Sequence, residues 1–183
     1  TFHGTAIIMI PIYFIGQWKP FSLQSIVASA AIAVAGINIG RFDFLFDNTQ
    51  YEGYLDTILE TSGMNMIRFL VAAVPVVIAV AGRKIIKAEN NRLINICVNM
   101  SCFYIAVQFS ALFAGANYIG RIATYFNVYN LILLPWMIKN CFTKDSERLV
   151  KLACVICYCI YFYYQIVITW KLGYISDILG LNF

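Results

Sequence analysis

Charge is what this sequence has least of. Only 12% of its 183 residues are Asp, Glu, Lys or Arg, while 61% are apolar. Soluble chains carry about 25% charged and about 45–50% apolar residues. A water-soluble domain of this size would lack the charges to cover its surface, which excludes a soluble enzyme and a nucleic-acid-binding domain. An aromatic share of 16% excludes a disordered linker. Histidine occurs once, as His3. Zinc-ligand spacing, an Asp-x-Asp pair and a Gly-rich phosphate loop are all missing. No metal or other cofactor is therefore expected. A mean hydropathy of +0.75 leaves an integral membrane protein.

The six cysteines are Cys97, Cys102, Cys141, Cys154, Cys157 and Cys159. The last three fall in an apolar run, VICYCIYFYY, with no histidine or carboxylate near them. They read as reduced small hydrophobes rather than as a metal or redox motif. The chain opens on Thr1 with no basic leader before its first apolar run. It is therefore expected to be the C-terminal part of a longer polytopic protein, forming a single membrane domain over residues 1–183.

A spanning helix needs about 20 apolar residues. Six stretches approach that length: Phe2–Trp18, Phe21–Gly40, Met64–Gly82, Leu93–Ala116, Ile122–Ile138 and Leu149–Trp170. The predicted fold is all-α, a polytopic transmembrane bundle of about six spans. Pro11 marks a kink in the first span, and Pro75 holds the same central place in the third. Gly36 and Gly40 form a Gly-xxx-Gly pair that permits close helix packing. Between Arg41 and Gly63, the spacing of Tyr51, Tyr54, Leu55, Ile58 and Leu59 predicts a short amphipathic helix.

The loops alternate in charge. Nine of the 13 basic residues collect on one side: Lys19, Arg83, Lys84, Lys87, Arg92, Lys139, Lys144, Arg148 and Lys151. The opposite side holds the acidic 41–63 loop. Basic loops stay in the cytoplasm, so both termini are expected to be extracytoplasmic. The cytoplasmic basic loops themselves read as orientation signals and lipid contacts.

Charged groups within spans are expensive and need a role, a partner or a route to the interface. His3, Arg41, Arg68 and Arg121 all fall at the outer ends of their spans. Arg41 reads as an interfacial anchor. Arg121 opens the fifth span, where free helix N–H groups favour an anion. Helical spacing places Asn117, Arg121 and Tyr125 on one stripe. Guanidinium groups fork onto phosphate oxygens and keep their charge. One imidazole and several guanidiniums facing outward suit a diphosphate presented from the outer leaflet. Asn95, Asn99, Asn127 and Asn130 are expected to hydrogen-bond between helices or to line a polar path.

Phe-His-Gly-Thr-Ala at the first span, the Tyr-containing loop before the third, and Gly-Arg-Ile-Ala-Thr-Tyr-Phe leading to Leu-Leu-Pro-Trp together resemble the EpsG family. These are Wzy-like membrane proteins of exopolysaccharide and O-antigen assembly, and the chain looks like the C-terminal half of a member. The resemblance implies a polysaccharide polymerase, a glycosyltransferase of the bacterial cell envelope. It would join repeat units carried on undecaprenyl diphosphate at the outer face of the cytoplasmic membrane. Its partners would be that lipid-linked glycan, membrane lipids and other polysaccharide-export proteins. Within it, His3 would take the proton of the attacking hydroxyl. Arg121, with Arg68 as a second group, would bind the diphosphate. Tyr125 and Asn117 would orient Arg121 or a sugar. The alternatives are a transporter or flippase for the same lipid-linked glycan, an O-acyltransferase of surface glycans, and a structural subunit without chemistry.

Overall fold

The computed structural model describes residues 9–38, 63–113, 116–170, 175–176 and 181–182. His3, Gly40, Arg41 and the amphipathic helix expected within the 41–63 loop lie outside the described residues. The described chain is helical: α1 (Met9–Gly16), α2 (Leu23–Ile37), α3 (Met66–Ala81), α4 (Arg83–Glu89), α5 (Arg92–Ser110), α6 (Ala116–Asn127), α7 (Asn130–Cys141) and α8 (Lys144–Tyr163). A π-helical segment, Tyr164–Thr169, extends α8. One small departure from an all-α fold is an antiparallel pairing of Ile175–Ser176 with Leu181–Asn182.

By length and composition, α5 and the run Lys144–Thr169 can each cross a membrane, and α3 meets the same test together with α4, across a 63° bend. The remaining expected spans correspond to shorter helices. α2 has 15 residues with a Ser22 N-cap, whose hydroxyl accepts from Ser25 N at 3.2 Å. The expected fifth span is two helices. α6 begins six residues before Ile122, and the helix is interrupted at Val128 and Tyr129. Around that break the backbone closes tighter, i to i−3 bonds, such as Tyr129 N to Phe126 O at 3.2 Å.

Pro75 lies inside α3, which continues through it to Ala81. The sharp bend, 63°, comes instead between α3 and α4, where Gly82 ends one helix and starts the next. Pro11 is the third residue of α1, and the part of the expected first span before Met9, against which a kink would be read, lies outside the described residues.

The chain divides into two compact units, Thr1–Met137 and Ile138–Phe183. Within the first, α5 is the hub, and α1, α2, α3 and α6 all pack on it. Lipid supplies no hydrophobic drive between helices, so close fit and internal hydrogen bonds must hold them. Both are visible. A Cβ on Gly36 would collide with the Ser110 hydroxyl, so the absent side chain lets α2 meet α5. Asn99 is fully buried on α5. Its amide nitrogen donates to Gly16 O at 2.9 Å and Trp18 O at 2.6 Å, and its oxygen accepts from Ser25 Oγ at 2.6 Å. One side chain thereby ties the end of α1 and the start of α2 to the middle of α5. α6 lays Ile119, Ala123 and Phe126 along α5, with Phe126 edge-on to Phe103 at 6.4 Å.

The outward faces are apolar. Leu23, Ile26, Val27 and Val34 on α2 and Leu70 and Val77 on α3 are exposed. Such surface belongs in hydrocarbon. The fold is that of a membrane protein.

Candidate functional site

The direction of each helix decides which side chains can meet. α3 starts, α5 ends and α6 starts at the same end of the first unit. Met64 N donates to Ala111 O at 2.7 Å, which pins the entry of α3 to the exit of α5. Gly63 makes this approach possible, since a Cβ there would strike the Leu112 carbonyl. Asn65 then caps α3, its side chain accepting from Ile67 N at 2.8 Å. Phe69 on α3 packs against Phe109 on α5, with ring centroids 6.0 Å apart.

Arg68 follows in the first turn of α3. Its half-buried side chain crosses to α6 and lies on Gly120. A Cβ at Gly120 would sit 3.3 Å from Arg68 Nη2, so the glycine leaves room for the guanidinium. The next residue on α6 is Arg121, which is exposed, and one turn further stands the half-buried Tyr125. The structure thus brings Arg68, Arg121 and Tyr125 to one end of the bundle. Asn117 takes the backbone position one turn before Arg121 in the same helix. His3, the expected proton acceptor, lies outside the described residues.

One part of the sequence argument for Arg121 fails. Arg121 does not open a helix, because α6 starts at Ala116 and its first turn precedes Arg121. The free N–H groups of a helix start belong to its first four residues. They cannot assist an anion at Arg121, and its case rests on the guanidinium alone.

Two residues not foreseen complete this end. Tyr104 and Gln108 stand one turn apart on α5, and Gln108 Nε2 donates to the Tyr104 hydroxyl at 3.0 Å. Gln108 precedes Phe109, whose ring packs on Phe69, the residue after Arg68. The available signal was the i, i+4 spacing of a phenol and an amide near the end of an apolar span, opposite the Gly-Arg pair of the next helix.

The four asparagines divide differently from expectation. Asn99 does bond between helices, and its amide is spent on the contacts described above. Asn130 Nδ2 donates to Asn127 Oδ1 at 3.1 Å, and Asn95 Nδ2 to Asn90 Oδ1 at 3.2 Å. These are local bonds within one stretch of chain. At the other end of the unit, Arg92 Nη2 donates to Gln17 Oε1 at 2.6 Å. All six cysteines are free thiols.

No curated protein and no solved structure matches the chain. The model of the EpsG family matches residues 1–176, nearly the whole of it. The Gly120–Arg121 segment and the apolar helices that hold it therefore lie inside the matched region, and the chain belongs to the EpsG family, a family of Wzy-like polymerases.

Proposed function

We propose that the chain polymerises polysaccharide repeat units carried on undecaprenyl diphosphate, working at the extracytoplasmic face of the cytoplasmic membrane with both termini on that side. A hydroxyl of one unit attacks the anomeric carbon of another. The new glycosidic C–O bond forms as the bond to the diphosphate oxygen breaks. The hydroxyl proton passes to His3, and the lipid diphosphate leaves as an anion. Fixed positive charge aimed at that leaving group lowers the barrier.

The single observation that carries this reading is that Arg68 and Arg121 stand at the same end of the first unit. One guanidinium lies on Gly120 and the other side chain starts from the next residue. Two like charges at one end of a bundle favour an anion between them, and a diphosphate offers several oxygens to two forks. In this reading Arg121 binds the diphosphate and Arg68 shares it. Tyr125 and the residue at position 117, Asn117, orient Arg121 or a sugar. The basic residues of α4 and the start of α5 lie at the opposite end, on the cytoplasmic side.

The test is Arg121→Lys, which keeps the charge and loses the fork. Polymer made by cells whose only copy is the variant should fall by roughly 10- to 100-fold. Wild-type yield would remove Arg121 from the mechanism. His3→Ala should abolish elongation, and normal chain length and yield would make His3 structural.

A further inference from the structure

Gln108 is 1% exposed, and its amide oxygen has no hydrogen-bond partner. An unpaired buried amide oxygen is costly, all the more so where lipid surrounds the bundle. Its neighbour Tyr104 is 9% exposed and accepts from the Gln108 amide nitrogen. Among the described residues nothing accepts the Tyr104 hydroxyl proton. Among the described residues the pair is left with a free acceptor, the amide oxygen, and two free donors, the phenol O–H and the second amide N–H.

Turning the amide over does not change this balance. If Gln108 instead accepts from the Tyr104 O–H, both amide N–H groups become free donors and the phenol oxygen the free acceptor. In either orientation the pair keeps a free acceptor beside its free donors. A phosphate oxygen only accepts, and it would meet the spare acceptor as a repulsion. A hydroxyl both donates and accepts, and it satisfies the two together.

We infer that Tyr104 and Gln108 form a hydroxyl-recognition subsite beside Arg68, which takes a sugar hydroxyl of the glycan whose diphosphate the arginines hold. This inference rests on the polymerase reading of Arg68 and Arg121 and adds the sugar to it. The location agrees with the chemistry. Phe69, next to Arg68, packs on Phe109, next to Gln108, with ring centroids 6.0 Å apart, and Arg68 lies on Gly120 beside Arg121, so the pair stands at the same end of the unit as the arginines. Tyr104 and Gln108 would then discriminate a glycan-loaded carrier from the spent one, whose diphosphate is the same but whose sugar is gone. Product lipid would be released because it no longer satisfies the pair.

The experiment compares two probes on the purified full chain in lipid nanodiscs. One is undecaprenyl diphosphate. The other is the same lipid bearing the host's own oligosaccharide, extracted from cells that lack this protein. Wild type should bind the loaded lipid more tightly than the bare one. Tyr104→Phe and Gln108→Leu should each weaken the loaded lipid roughly 3- to 10-fold and leave the bare lipid unchanged. Unchanged thermal midpoints keep misfolding out of the result. If Tyr104→Phe does not fold, Gln108→Leu carries the test alone, because it removes the spare acceptor and fills the same volume. Retention of the full preference in the folded variants overturns the subsite. Equal loss of both probes in the variants also overturns it, since the pair would then serve the diphosphate. Failure of wild type to bind either probe, or full binding by Arg121→Lys, overturns the polymerase reading itself.

Discussion

Helices α5 and α8 invite comparison, because sequence treats them alike. They have 19 and 20 residues, and α5 alone and α8 with its π-helical extension are each apolar enough to span. Yet 13 residues of α5 are buried and none of α8 is. What separates them is where their polar groups stand. α5 buries Asn99, Ser101, Gln108 and Ser110 among its apolar residues. α8 keeps its charges near its first turns, in Lys144, Asp145, Glu147, Arg148 and Lys151, and continues as Cys, Tyr, Ile and Phe on every side. In lipid a polar side chain is the strongest reason for one helix to seek another. Hydropathy finds a span, but amides and hydroxyls within it identify the helix that others gather around.

The sharpest way to break this contrast is to remove the clip. Asn99→Leu deletes the hydrogen bonds to Gly16, Trp18 and Ser25 and should lower stability by about 2 kcal/mol. Unfolding in detergent, followed by circular dichroism, would show it, and an unchanged transition would refute the role of Asn99. Next comes Gly36→Ala, whose methyl meets the Ser110 hydroxyl and should destabilise by roughly 1–2 kcal/mol. The double variant with Ser110→Gly should recover most of that loss. If it does not, the close approach of α2 to α5 has another cause.

A smaller effect compares the two helices directly. Cys97→Leu overfills a fully buried site on α5 and should destabilise by about 1 kcal/mol. Cys157→Leu on α8 changes one exposed apolar side chain for another and should stay within about 0.5 kcal/mol. Equal responses would mean that α8 is as tightly packed as α5. Gly120→Ala should have the least effect on stability, because its methyl meets only the far end of a flexible arginine. Polymer yield is the informative readout there, and a several-fold drop is expected as Arg68 is displaced.

Much of this was legible in the residues. The apolar runs locate α2, α3, α5 and α8, and Gly36 foretells a close contact. The site was legible in part. Arg68 and Arg121 share an end because alternating spans put them there. Tyr104 and Gln108 left only their i, i+4 spacing as a signal, since a tyrosine and a glutamine in an apolar run do not reveal which way they face. Helix breaks were misplaced for a physical reason. Pro75 lacks an N–H, but α3 runs on through it, whereas Gly82 has no side chain to favour continuing the axis. The interruption at Val128 and Tyr129 carries no glycine or proline to announce it.

The bend at Gly82 has a mechanical meaning for the far end of α3. Beyond it, α4 turns by 63° and carries Arg83, Lys84 and Lys87 sideways, with Ile86 seated in the bundle. A spanning helix that ends in such a foot cannot piston along the membrane normal, because its basic side chains would be dragged into hydrocarbon or pulled clear of the headgroups. In the proposed reading, the height at which Arg68 stands is thus governed from the far end of its own helix.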